Sequence, residues 1–118
     1  MTEFAIQRIY QPSIHPDDYR VLVDRLWPRG IRTSEAALDE WCKDLAPSTE
    51  LRTWWNHDPG AMEEFSNRYR EELDQNATVA DICARLTEHS HVTLLYAARD
   101  ENVNHAVVLR DYLAKFTA

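Results

Sequence analysis

Apolar positions along this chain keep two rhythms, unbroken β-branched runs and recurrences every third or fourth residue. Val21-Leu22-Val23 and Val92-Thr93-Leu94-Leu95-Tyr96 are runs of strand length, as expected of strands covered on both faces. The pattern predicts strands over 4–10, 20–25 and 91–97, the last being the clearest. Gln11-Pro12-Ser13-Ile14-His15-Pro16-Asp17-Asp18 joins the first two. That connection is short for a crossover helix and leaves their relative direction open. Residues 40–45 read as a short strand or extended segment ending before Ala46-Pro47.

The helical rhythm fills the middle and the end. A brief helix is expected from Ser34 as N-cap through Leu38, and Ser48 caps a turn through Trp55. Asp58-Pro59 supplies an N-cap followed by proline at the first helical position. Met62, Phe65, Tyr69 and Leu73 then mark one helical face. Thr78 opens a helix whose buried stripe is Val79, Ile82, Cys83 and Leu86. The last helix covers 104–116, with Ala106, Leu109, Tyr112, Leu113 and Phe116 facing inward. This order predicts an α/β fold, a compact three-layer-like single domain over 1–118. Its mainly parallel sheet has about four strands flanked by helices.

Composition narrows the class. With 44% apolar and 28% charged residues the chain is ordinary globular material. No apolar run approaches the ~20 residues of a membrane helix. Met1-Thr2-Glu3-Phe4 lacks the features of a signal peptide. Cys42 and Cys83 read as buried free thiols of a reduced compartment rather than a disulfide. A cytoplasmic home is expected.

Candidate chemistry gathers where strands end. Asp24-Arg25-Leu26-Trp27-Pro28-Arg29-Gly30 and Ala98-Arg99-Asp100-Glu101-Asn102-Val103-Asn104-His105 each follow an apolar run, and ligands of α/β proteins sit beyond such strand ends. Net charge is −7, yet 20–32 holds four arginines against one aspartate. Arg25 and Arg29, on a loop stiffened by Pro28 and ended by Gly30, converge with Arg99 if their strands are parallel neighbours. The set then forms an oxyanion pocket for phosphate or carboxylate. The competing reading pairs Arg25 with Asp24 or Asp100 as a structural bridge and leaves Arg29 solvated.

His105 has the chemistry of a general acid or base, with Asp100 orienting it; the plainer reading is a hydrogen-bonded residue at a helix start. Asn104 reads first as a cap and second as a ligand contact. His57 either lines the site or bridges two helices. His57, Asp58, Asp100 and His105 have metal-ligand types but no compact spacing, so no metal is assigned. Adjacent Trp54 and Trp55 differ by ~100° on a helix, so one of them faces outward. Trp27 beside the arginines permits stacking on a flat ring. There is no Gly-x-Gly-x-x-Gly, Walker loop or Gly-x-Ser-x-Gly elbow, and no cofactor is expected.

These words, with Trp41, Lys43, Ala46-Pro47-Ser48, Glu50-Leu51-Arg52, His57-Asp58-Pro59, Phe65, Arg68-Tyr69 and Glu72-Leu73, resemble the DUF488 family, in its small YeaO-like branch. The name denotes a domain of unknown function, so the resemblance implies an α/β fold and no agreed activity. Wider members look as if they carry Cys and His-Arg after the last strand. Here Ala97-Ala98 and Asn104-His105-Ala106 stand there, and a thiol-dependent role is not carried over.

The leading expectation is an Arg-lined pocket for a small anionic, nucleotide-like ligand. Were it catalytic, His105 would move protons and Arg25 and Arg29 would steady oxyanion charge in a hydrolysis or group transfer. The alternative is a ligand-sensing or protein-interaction module, a homodimer through the aromatic face. Nucleic acid is disfavoured by the negative net charge, and no membrane partner is expected.

Overall fold

The computed structural model describes residues 2–11, 17–32 and 37–117. Strands β1 (Glu3–Arg8), β2 (Tyr19–Leu22), β3 (Glu40–Trp41) and β4 (His91–Tyr96) form one sheet in the order β1-β4-β2-β3. Every pairing is parallel. The direction that the short 11–18 connection left open is thereby fixed: β1 and β2 point the same way and β4 lies between them. Ile6 and Val21 both align with Leu94.

Helices α1 (Thr49–Trp55), α2 (Met62–Gln75), α3 (Val79–Leu86) and α4 (His105–Phe116) complete the fold. The α/β expectation holds. Side-chain alternation sorts the sheet into two faces. Val21, Val23, Val92, Leu94 and Tyr96 join one large apolar cluster with residues from all four helices. Leu22 and Leu95 face the other way, where Ile9, Trp27, Ile31, Leu38, Trp41 and Ala97 cover them. Among the described residues that second cover is loop and strand material. Most of the helix expected from Ser34 lies outside the described residues; Ala37 and Leu38 are irregular.

Local chemistry sets the helix boundaries. Ser48 Oγ accepts from the Leu51 amide at 3.1 Å, capping α1. Asp58 Oδ1 accepts from the Gly60 amide at 3.0 Å and starts a 3₁₀ turn, Pro59–Ala61, that leads into α2. Residues 43–45, expected to be extended, form another 3₁₀ turn. Phe65, Tyr69 and Leu73 are buried on α2, as are all four stripe residues of α3. On α4 the inward set is Ala106, Val108, Leu109 and Leu113. Phe116, expected inside, is 48% exposed and stacks on Tyr112 instead. Cys42 and Cys83 are buried free thiols. No helix among the described residues is long and apolar enough to cross a membrane.

Candidate functional site

β2 and β4 are neighbours, so their exits open at one edge of the sheet. Beyond β2 the Val23 amide still donates to Leu95 O at 3.0 Å, and the chain then turns into the 24–30 loop. Three bonds shape that loop. Trp41 Nε1 donates to Asp24 O at 2.7 Å, Trp27 Nε1 to Ile31 O at 2.8 Å, and Tyr10 OH to Arg29 O at 2.9 Å. Gly30 has φ +78°, a conformation that side chains make costly. Trp27 also meets Trp41 edge-on, 5.2 Å between ring centres.

The other exit is built by local hydrogen bonds. Asp100 Oδ1 accepts from the Asn102 and Val103 amides at 2.8 and 3.0 Å. Fully buried Asn104 caps α4, its Oδ1 accepting from the Val107 amide at 3.0 Å and its Nδ2 donating to Asp100 O at 2.9 Å. These turns deliver His105 to the first position of α4.

His105 then meets the opposite exit. Its Nε2 lies 3.0 Å from Val23 O and 3.2 Å from Asp24 Oδ1. A carbonyl only accepts, so Nε2 bears a proton. That N–H is directed at the carbonyl, and the carboxylate contact is electrostatic rather than an aligned bond. Asp24 Oδ1 is accordingly the one buried side-chain oxygen without a hydrogen-bond partner among the described residues. Asp24 Oδ2 accepts from the Ala97 amide at 3.1 Å, so one carboxylate ties both strand exits together. The Tyr69 ring sits 6.3 Å from the imidazole. Its hydroxyl donates to Leu45 O, and burial pushes its pKa well above the ordinary tyrosine value, keeping it protonated.

A cavity of about 350 Å³ opens between the exits. Arg25, Arg29 and Arg52 line it together with His57, His105, Trp27 and Asp24. Arg25 Nε donates to Pro47 O at 3.1 Å and its Nη2 to Ala46 O at 3.2 Å. Those bonds fix the guanidinium without neutralising it. Arg29 and Arg52 make no ion pair with any described residue. His57 enters from the turn after α1, where Asn56 and His57 both adopt left-handed backbone, φ 46° and 56°. Asn56 serves as the helix C-cap. A histidine in that region is strained.

Three expected site residues lie elsewhere. Asn104, fully buried as the cap of α4, does not line the cavity. Arg99 is exposed and does not line the cavity. Asp100 is occupied in its own turn, and the carboxylate beside His105 is that of Asp24. Neither bridge proposed for Arg25 forms, since its partners are carbonyls. Arg52 was not singled out from the sequence; its place in a helix between Ser48 and His57 was the available signal. Among the described residues no group of His, Cys, Asp and Glu is arranged to hold a metal ion.

A family model described as "Inactive DUF488-N3 subclade" matches residues 3–118. The chain belongs to the DUF488 family. Similar DUF488-family chains include the uncharacterized protein Rv3073c of Mycobacterium tuberculosis, 46% identical over 113 residues, covering 95% of this chain and 94% of that one. The uncharacterized protein YeaO of Escherichia coli is 43% identical over 107 residues, 91% of this chain and 93% of its own. No solved structure matches this DUF488 chain.

Proposed function

We propose that the cavity binds a small anion, phosphate or carboxylate in chemistry, and that the protein acts by binding rather than by covalent catalysis. The observation carrying this reading is the cluster of Arg25, Arg29 and Arg52 on one cavity of a protein whose net charge is −7. Arginine forks suit planar and tetrahedral oxyanions, and among the described residues Asp24 is the single carboxylate that opposes them there. Against covalent chemistry stand the word "inactive" in the subclade's description and the absence of Ser, Thr or Cys among the described residues of this lining. Burial pushes the Cys42 thiol up and away from thiolate reactivity. The buried free thiols fit a cytoplasmic home.

One observation favours a second reading, acid–base hydrolysis or transfer. His105 beside Asp24 is a proton-handling pair facing the same cavity. A homodimer through the aromatic face ranks lower. Trp55 is buried, and Trp54, 44% exposed, already carries the Arg68 guanidinium 4.2 Å over its ring.

Calorimetric titration with inorganic phosphate tests the binding reading. The parent chain is expected to bind. An Arg29→Ala/Arg52→Ala double variant, which removes no side-chain hydrogen bond to a described residue, is expected to lose the heat signal while keeping its melting temperature. Unchanged phosphate affinity in that variant, or no binding by the parent, overturns the proposal. Steady turnover of phosphate esters that His105→Ala abolishes would establish the second reading instead.

A further inference from the structure

A second cavity, of about 420 Å³, adjoins the first. The two share Leu26, Pro47, Arg52, His57 and His105 as lining. Five shared residues make them lobes of one depression, with Arg52, His57 and His105 as the waist. Their chemistry differs. Arg25 and Arg29 belong to the first lobe alone, whereas the second adds Thr49, Thr53, Trp55 and Asn56. Among the described residues it contains no carboxylate, and beyond the waist no charge.

α1 sets this division. Thr49, Arg52, Thr53 and Asn56 recur three and four residues apart, so one stripe of the helix faces the depression. Thr49 and Thr53 are exposed, and neither hydroxyl bonds a described residue. Trp55 Nε1 is already committed to Asp58 O at 2.8 Å, and its ring stacks on Phe65 with centres 3.8 Å apart. The second lobe therefore offers hydroxyls and an amide rather than an open aromatic face. That suits a hydroxyl-bearing body better than a stacked base.

We infer that the ligand is an anion carrying an uncharged polyol body, a sugar phosphate in chemical class. The anionic group sits among Arg25, Arg29 and Arg52, and the sugar hydroxyls face Thr49, Thr53 and Asn56. This rests on the anion-binding reading above and deepens it. Each matched hydroxyl adds a modest increment, so two together strengthen binding about tenfold over a bare anion.

The test titrates the full chain with inorganic phosphate, ribose 5-phosphate and ribose. Ribose 5-phosphate is expected to bind about tenfold more tightly than phosphate. A Thr49→Val/Thr53→Val double variant should erase that advantage and leave phosphate affinity unchanged. Amide chemical shifts give a second readout: ribose 5-phosphate should move those of residues 49, 53 and 56, and phosphate alone should not. Equal affinity for phosphate and ribose 5-phosphate overturns the inference while leaving the anion site standing, and so does an advantage that survives the double variant. If neither anion binds, the anion-binding reading itself fails and takes this one with it.

Discussion

Asp24→Asn is the most informative single change, because the side chain sits against two N–H groups, hydrogen-bonded to one and in electrostatic contact with the other. Its Oδ2 accepts from the Ala97 amide at 3.1 Å, and its Oδ1 faces the Nε2–H of His105 at 3.2 Å. A carboxylate is attracted to both groups. An amide cannot: either its NH2 opposes the Ala97 amide or it opposes the imidazole N–H. The His105 proton cannot move away without leaving Val23 O unpartnered. The side chains are only 12% and 17% exposed for His105 and Asp24, so water compensates little. Losing one charge-assisted contact and creating a donor–donor clash costs about 2 kcal/mol. For a chain of 118 residues that corresponds to a drop of about 8 °C in melting temperature. Urea unfolding followed by circular dichroism measures it, and an unchanged m-value confirms that both variants unfold from the same compact state. A cycle with His105→Ala should show coupling of about 1 kcal/mol between the two positions. An Asn variant within about 0.5 kcal/mol of the parent, a surface-like value, would refute the two-donor argument.

Three further outcomes follow from the packing. Tyr69→Phe strands the buried Leu45 carbonyl that the hydroxyl now reaches; a loss of about 1–3 kcal/mol in urea unfolding is expected, and no loss would show that carbonyl to be otherwise satisfied. Trp55→Ala removes a ring only 3% exposed and stacked on Phe65, at a cost of about 3–5 kcal/mol by the same assay, whereas Trp54→Ala should cost far less. Burial lifts the Cys83 thiol from 9.0 to about 11. The folded chain therefore retains a proton that the unfolded chain releases, and stability falls as pH rises from 9 to 11. Cys83→Ala should flatten that part of the melting-temperature profile, and an unaltered slope would contradict the burial argument.

Much of the fold was readable because it depends on nearest neighbours. Val21-Leu22-Val23 and 92–96 are buried because they are apolar on both faces, and Ser48, Asp58 and Asn104 cap because their side chains reach their own helix ends. The site was readable only in part. Arg25, Arg29, His57 and His105 do share one cavity, since parallel neighbours open at the same edge. Asp100 shows what local reading overlooks: two amides two and three residues ahead claim its carboxylate before a side chain farther away can. Asp24 went unpaired with His105 because the two are 81 positions apart and meet only when β2 and β4 align. The left-handed backbone at His57 has no sequence marker, as glycine or asparagine would normally announce it.

The place of β4 has a consequence for biosynthesis. Among the described residues β1 finds its hydrogen-bonding neighbour only in β4, with Glu3 opposite His91. A ribosome must therefore release the chain through β4, more than eighty residues beyond β1, before the first strand has anything to pair with. Until then both early strands present bare edges, which invite wrong partners, and ring closure over so long a span slows productive collapse. Closure of the sheet thus waits for β4, and a deletion that removes β4 should strand β1 while leaving β2 only its short partner β3.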